Sequence, residues 1–403
     1  MVERGVDVAI VGAGPAGLAA AMALRAAGVE RVLVLEREGE AGGIPRHCGH
    51  PPFGLREFHR LLAGPAYARR LVQAALAAGV EIALRHSVVA IEPEARLRVA
   101  TPEGALAVQA KRVLLATGVR ESSRAQRLIG GDRPVGVLTT GALQSFVYGE
   151  HRLPFRRPVV VGSELVSFSA LLTLRRAGAR PVAMVEAGSR VVARRAFPLY
   201  ARLIGVPLLT SSALHEIRGS GRVEGVVLRG PDGALRTLDC DGVLLTGRFR
   251  PAMELAQAAA LEIDGGTRGP AVDQFGRTSD PLVFAAGNVL HPVESAGWCW
   301  REGGLVGEAI ARDLAQGLPD PRGALRLQAS EPLAYALPQR LAPGSAAPAL
   351  ASLQLRVSRD VDGHLRIGGE NQKWPLRARP ERRVLLPLPP VTGDEIRLTV
   401  ETD

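Results

Sequence analysis

The chain is poor in lysine. Of its 50 basic residues only Lys111 and Lys373 are lysines, so the net charge of +10 rests on arginine. Those arginines are scattered rather than blocked, and aromatic residues make up only 4% of the chain. Both facts weigh against a nucleic-acid binder, which needs a basic stripe. A codon bias toward arginine, or an anionic cofactor or partner, accounts for the charge better. Cysteine is scarce too. Cys48, Cys240 and Cys299 lie far apart, with no CxxC pair, no zinc spacing and no iron–sulfur run. No resident metal is expected, and the pattern fits a reducing, cytoplasmic compartment. A membrane span is not expected either. Val8–Leu24 is uncharged for 17 residues, but it is slightly short and carries three glycines and a proline. Glu3 and Asp7 intrude where an export signal needs a basic flank. With 403 residues, 46% apolar and 22% charged, the composition is that of a globular chain of two or three domains.

The apolar stretch has a better explanation. VDVAIV at 6–11 reads as a buried parallel strand. Gly12-Ala-Gly14-Pro15-Ala16-Gly17 follows, then an alanine-rich helix, then a second strand, RVLVL, ending on Glu36 and Arg37. This is a dinucleotide fingerprint in its full context. Gly12 allows the tight turn, Gly14 lets backbone approach a pyrophosphate, and Gly17 lets helix and strand pack closely. Glu36 stands where a carboxylate can accept both ribose hydroxyls, which argues against a 2′-phosphate. The ligand is therefore FAD or NAD.

AGGIPRHCGHPPFGL at 41–55 chooses between them. The pair Gly42-Gly43, six residues past the acid, resembles the FAD-dependent superfamily of pyridine nucleotide-disulfide reductases, which includes glutathione and thioredoxin reductases. The resemblance implies that this segment passes beneath the FAD pyrophosphate and then runs beside the isoalloxazine ring. Only Cys48 is present where those reductases can carry a cysteine pair, so an internal redox disulfide lacks its partner. Cys48 reads as a small side chain against the flavin, or as a reactive thiol beside it. A metal at His47, Cys48 and His50 is the less favoured alternative. Either histidine is a candidate to shuttle a substrate proton or to stabilise charge on reduced flavin, or is a hydrogen-bonded pocket residue.

The same resemblance extends along the chain. Ala116-Thr117-Gly118 is similar to the turn by which the superfamily leaves its flavin domain. A second Rossmann-like unit starts near Arg157 and ends its second strand on Glu186, but its fingerprint reads Gly162-Ser-Glu164-Leu-Val-Ser167. A carboxylate at 164 repels a diphosphate and occupies its space, so NAD(P) binding there is doubtful. LVFAAGN at 282–288 resembles the superfamily's return to the flavin, with Gly287 and with Asn288 in place of an aspartate. A helix from Gly303 to about Leu314 is expected to point its N-terminus at the flavin. Trp298 and Trp300 precede it, as pocket walls or interface packing. From Glu331 to Ser352 the chain reads as a Pro/Ala-rich linker, followed by short strands with a hairpin turn at Asp360-Val-Asp362-Gly363.

The expected fold is α/β: two Rossmann-like three-layer domains and a small C-terminal β-rich module. The expected division is 1–124 and 251–330 for the FAD domain, 125–250 for the degenerate NAD(P)-type domain, and 331–403 for linker and module. GGIPRHCGHPPFGL, LLAGPAYARRL, DRPVGVLTTGALQ and AAGNVLH resemble one branch of the superfamily more closely. Its members are flavoprotein subunits of multisubunit dehydrogenases of amines, amino acids and hydroxy acids, such as hydrogen cyanide synthase, sarcosine oxidase, opine oxidase and the flavoprotein accompanying glycerol-3-phosphate dehydrogenases. That resemblance implies an electron-transferring FAD subunit, with a second flavoprotein and an iron–sulfur protein as partners. The alternatives are a self-sufficient NAD(P)H-dependent reductase and an assembly subunit with structural FAD.

Overall fold

The computed structural model describes residues 2–402, apart from 195, 369–372 and 392–394. The first unit contains β1 (Val2–Val11), α1 (Pro15–Ala26), β2 (Val32–Glu36), α2 (Gly64–Ala77), β3 (Glu81–Leu84), β4 (Ser87–Glu92), β5 (Arg96–Thr101) and β6 (Gly104–Leu115). Its sheet runs β3-β2-β1-β6-β5-β4. β1 lies between β2 and β6 and is covered on both faces, which is why Val6, Val8, Ala9, Ile10 and Val11 are all apolar. The register pairs Val11 with Leu35 and with Leu115, so three strands end at one edge of the sheet.

Two short strands, β7 (Val119–Glu121) and a later partner (Phe249–Pro251), pair antiparallel where the chain leaves and re-enters this unit. Between them come β8 (Gly130–Gly131), β9 (Val137–Thr139), α3 (Thr140–Gln144), β10 (Pro158–Val161), α4 (Leu165–Arg176), β11 (Ala183–Val185), α5 (Ala196–Leu203), β12 (Leu208–Leu209), β13 (Ala213–Arg218), β14 (Gly225–Arg229), β15 (Leu235–Asp239) and β16 (Gly242–Leu245). A five-stranded parallel sheet, β12-β11-β10-β16-β9, forms the second unit. Helices α3–α5 pack on one face and the sheet β15-β14-β13-β8 on the other. The returning strand is β17 (Phe249–Pro251), followed by α6 (Glu254–Ala258), β18 (Val283–Ala285) and α7 (Ala296–Gln316). β18 pairs in parallel with β6, Ala285 opposite Leu115, and so reaches the edge where β1 and β2 end.

The remaining chain folds as two small sheets around one core of Leu353, Leu355, Val357, Leu365, Ile367 and Leu398. Its strands are β19 (Leu325–Ala329), β20 (Leu333–Leu337), β21 (Arg340–Leu341), β22 (Ser352–Val357), β23 (Val361–Ile367), β24 (Lys373–Ala378), β25 (Val384–Pro387) and β26 (Glu395–Thr402). The fold is thus α/β, with two Rossmann-like units and a β-rich module. No helix among the described residues is long and apolar enough to cross a membrane.

Strand β6 is continuous, its first half pairing with β5 and its second half with β18. Three local expectations change. The expected linker at 331–352 contains β20 and β21. Asp362 and Gly363 lie inside β23, and β22 and β23 belong to different sheets, so no hairpin forms there. Helix α7 begins at Ala296, which puts Trp298 and Trp300 in its first turns.

Helix α7 packs on α1 with its glycines against backbone. A Cβ on Gly303 would collide with the carbonyl of Ala16, and one on Gly307 would lie 2.7 Å from that of Ala20. Nothing lies within 4 Å of where a Cβ on Gly304 would stand. Gly303→Ala is therefore expected to destabilise the protein by about 3 kcal/mol through overpacking. Gly304→Ala is expected to stabilise it by about 0.5–1 kcal/mol through helix propensity. Urea unfolding of both variants checks the contrast.

Candidate functional site

The common edge of β1, β2, β6 and β18 gathers the fingerprint residues. Gly12 has φ +108°, and a Cβ there would meet the Ala116 carbonyl at 2.6 Å, so only glycine fits this turn. Gly14 is the N-cap of α1, with Pro15 at the first turn and no side chain capping the helix. Gly17 packs on the Gly12 carbonyl with no room for a Cβ. Gly42 donates its N–H to the Ala13 carbonyl at 2.8 Å, and Gly43 faces Gly14 so closely that a Cβ would sit 2.8 Å from the Gly14 Cα. Two glycine backbones thus form the floor in front of uncapped helix N–H groups, an arrangement suited to an anionic diphosphate.

Glu36 is buried and already bound. Its Oε2 accepts the Ala13 N–H at 2.9 Å and its Oε1 the Glu38 N–H at 3.0 Å. Each carboxylate oxygen keeps further acceptor capacity for a ribose hydroxyl. Arg37 points outward and pairs with Glu38 at 3.4 Å. Ala116 donates to Val11, the Thr117 hydroxyl donates to Ala252 at 3.1 Å, and Gly118 accepts from the Ala252 N–H. Gly287 begins a turn against α1, where a Cβ would lie 2.8 Å from the Ala16 Cβ. These residues fit a flavin dinucleotide.

The Asn288 side chain bonds within its own loop. Its Oδ1 accepts the Glu294 N–H at 2.7 Å and its Nδ2 donates to the Glu294 carbonyl at 3.2 Å. The amide clamps the 288–294 loop on itself. This is the local reason an amide suits the position: a carboxylate could accept that N–H but could not donate to the carbonyl.

His47, Cys48 and His50 lie on the segment between the two units. The Cys48 Sγ is 3.6 Å from the Ile44 carbonyl and 3.5 Å from Gln144 Oε1 of the second unit. Burial, with a smaller push from Glu121, drives the thiol up to about 12, so it stays protonated near neutral pH. The half-buried thiol thus lies where the two units meet, in contact with Gln144. His47 is lowered by burial and by Arg46, which favours the neutral imidazole. His50 Nδ1 lies 3.0 Å from the Pro51 carbonyl, and its ring leans on Phe53. Among the described residues no group of three His, Cys, Asp or Glu side chains could hold a metal ion. Two further contacts seat the second unit on this segment. Tyr148 lies against Gly49, leaving no room for a Cβ, and Arg176 donates to the Gly49 carbonyl.

Sequence reasoning missed three carboxylates, Glu302 buried and Glu121 and Glu294 half-buried, whose partners come from other segments. Glu121 accepts from Gly141 at 2.9 Å and Gly247 at 3.1 Å, fastening the linker to the second unit. Glu294 pairs with Arg356 at 2.9 Å. Glu302, in α7, accepts the Gly287 N–H at 2.8 Å and lies 3.2 Å from His291. Burial alone would raise Glu302, but His291, Gly287 and Gln354 together hold it below the ordinary glutamate value.

The second unit repeats the geometry of the first up to one position. Glu186 accepts the Gly188 N–H at 2.8 Å and the Ser163 hydroxyl at 2.5 Å, as Glu36 accepts from Glu38 and Ala13. At 164, however, the side chain fills the space between Gly162 and Gly247, with Ser167 Oγ 3.2 Å from its carboxylate. The cavity left here, lined by Arg127, Gly162, Glu164, Glu186 and Arg248 among others, is about 200 Å³. Ligand pockets start at about 300 Å³. Burial raises the Glu164 carboxyl, Glu186 adds to the rise, and its own N–H, Ser167 and Arg127 oppose it. The folded chain therefore holds this proton more tightly than the unfolded chain, and the group costs stability as pH rises. Glu164→Gln is expected to raise the melting temperature at about pH 8, with the gain shrinking to nothing near about pH 4, below the ordinary glutamate value. Thermal melts across that range check it, and a gain independent of pH would contradict it.

Comparison with known proteins agrees with this geometry. The family model for pyridine nucleotide-disulphide oxidoreductases matches residues 6–306. The ferredoxin–NAD(+) reductase component of the biphenyl dioxygenase system of Paraburkholderia xenovorans (strain LB400) is 32% identical over 311 residues, covering 74% of this chain and 69% of that protein. An opine oxidase subunit of Agrobacterium tumefaciens (strain Ach5) is 28% identical over 314 residues, covering 70% of this chain and 61% of that one. Among solved structures, the thioredoxin reductase of T. acidophilum superposes with a TM-score of 0.65 at 22% identity, covering 78% of this chain and all of that one, a likeness of fold. The chain belongs to the pyridine nucleotide-disulphide oxidoreductase family and is an FAD-dependent oxidoreductase.

Proposed function

We propose that the protein is the electron-transferring flavoprotein subunit of a multisubunit dehydrogenase acting on amines, amino acids or hydroxy acids. The observation that supports this reading is Glu164, whose half-buried carboxylate lies between Gly162 and Gly247 at the fingerprint of the second unit. In this reading the carboxylate disfavours a nicotinamide dinucleotide there, and electrons are exchanged with a protein partner. Likeness to a subunit of opine oxidase supports a protein complex as that setting. The partners this reading calls for are a second flavoprotein and an iron–sulfur protein.

Bound FAD supplies the redox chemistry, by accepting and releasing electrons at its isoalloxazine ring. The chain's own residues bind and orient it. In this reading the Gly12–Gly17 turn and the α1 N-terminus hold the diphosphate, Glu36 takes the ribose hydroxyls, and Gly42, Gly43 and the Ala116–Gly118 turn line its path. The α7 N-terminus, uncapped by any side chain, would in this reading lend its dipole to negative charge on the reduced flavin. His47, kept neutral by burial, is the residue suited to accept a proton, while Cys48 only fills space. The division into an FAD domain (1–124 and 251–330), an inserted unit (125–250) and a C-terminal module (331–403) belongs to the same proposal.

A second reading, an NAD(P)H-dependent reductase, is favoured by the ferredoxin–NAD(+) reductase relative and by the Glu186 geometry that repeats Glu36. Anaerobic titration of the purified holoprotein with NADH and NADPH separates the two. The expected result is no rapid stoichiometric bleaching of the visible flavin band. Bleaching within the mixing time would overturn the electron-transfer reading and assign the second unit a working nicotinamide site.

A further inference from the structure

The C-terminal module reaches into the flavin turn. Arg383 donates to Gln354 Oε1 at 3.0 Å, Gln354 Nε2 lies 3.4 Å from Glu302 Oε2, and Glu302 Oε1 accepts the Gly287 N–H at 2.8 Å. The turn at Gly287 rests on Ala16, inside the fingerprint, as does Gly303 of α7. A second set of contacts runs beside the first. Arg356 donates to Glu294 at 2.9 Å and to the Val293 carbonyl at 2.9 Å, and Arg383 lies 3.7 Å from Glu294. Glu294 in turn closes the Asn288 clamp. A third contact is aromatic. The Arg383 guanidinium lies 4.0 Å from the Trp298 ring centre, and Arg56 lies 4.0 Å from the same ring.

We propose that Arg383, Gln354 and Glu302 are positioning residues for FAD, through which the C-terminal module sets the affinity and the redox potential of the flavin. The inference rests on FAD lying at the Gly12–Gly17 cradle. The electrostatic argument is direct. Glu294 and Glu302 are two acids packed beside a turn that must face an anionic diphosphate, and the side chains of Glu294 and Arg383 are both only 9% exposed. The groups facing these acids are His291, Cys299, Arg356 and Arg383. The two arginines come from the module. Without them Glu294 would be an unpaired charge that repels the cofactor, and the Gln354 side chain that reaches Glu302 would lose its Arg383 anchor. With the arginines in place the acids become rigid acceptors that hold the turn in one conformation.

The test uses the full chain. Arg383→Gln, Gln354→Leu, Glu302→Gln and the exposed control Arg377→Gln are compared by FAD dissociation constant, by flavin midpoint potential from dye equilibration, and by melting temperature. Arg383→Gln is expected to bind FAD roughly tenfold more weakly and to lower the potential, because the network beside the cofactor loses a cation and gains net negative charge. Glu302→Gln is expected to raise the potential, because an anion is lost. Gln354→Leu is expected to weaken FAD less than Arg383→Gln does, and Arg377→Gln to match the wild type. A purely structural role would not move the potential in opposite directions. Unchanged affinity and potential in folded Arg383→Gln and Gln354→Leu would overturn the proposal. If Arg383→Gln does not fold, Gln354→Leu and Glu302→Gln decide in the same way. A wild-type chain that binds no FAD would sink the cofactor reading itself, an outcome distinct from variants that bind as the wild type does.

Discussion

The site depends on one constraint: α7 lies against α1 with backbone touching backbone. Gly303 and Gly307 meet the carbonyls of Ala16 and Ala20, and Gly287 meets the Ala16 side chain. Any larger residue at these glycines pushes the helices apart. Close packing runs α7 beside α1 from Gly303 onward, and neither helix N-terminus is capped by a side chain. Each carries about half a positive charge in its exposed N–H groups. The strand register delivers Gly12, Glu36, Ala116 and Gly287 to that edge. The anion site is therefore a product of packing and register, and no cationic side chain needs to supply it.

The two Rossmann-like units share one turn and part at the next fingerprint position. Gly12 and Gly162 make the same turn, with φ near +108° and +118°. Glu36 and Glu186 each accept the N–H of the residue two further on, and each is bound by the residue after the turn glycine, through the Ala13 N–H in one case and the Ser163 hydroxyl in the other. At the next fingerprint position the first unit has Gly14, which leaves its space to a ligand, and the second has Glu164, which fills it. A carboxylate there is both a steric plug and a like charge. The second unit is also seated firmly, by Tyr148 and Arg176 on Gly49, Gln144 on Cys48 and Glu121 on Gly141 and Gly247. Its position brings Gln144 to within 3.5 Å of the half-buried Cys48 thiol, whose pKa burial pushes up.

The C-terminal module is where local pattern said least. Its strands alternate plainly enough, but its arginines look like the other arginines of an arginine-rich chain. Arg356 and Arg383 acquire meaning only through Glu294, Glu302 and Trp298, which lie far away in sequence. Buried ion pairs of this kind give little net stability over an apolar packing, yet they punish the loss of either partner. Such pairs fix geometry more than they add to stability, which suits a turn that must hold a cofactor.

The sequence by itself determined the α/β class, the two Rossmann-like units, the β-rich end, the fingerprint and the anomaly at Glu164. Each of these is written in short-range order: apolar runs for buried strands, glycine spacing for the tight turn, an acid at a strand tip. Only the tertiary structure decided that β6 is one strand, that α7 starts at Ala296 and takes in both tryptophans, and that Asn288 holds its own loop. It alone brought Gln144 to Cys48 and Gln354 to Glu302. The physical reason is range. A turn or a strand is selected by neighbours within a few residues. The partner of a buried polar group is set by which segments the closed core forces together, and that choice leaves no periodicity in the chain to read.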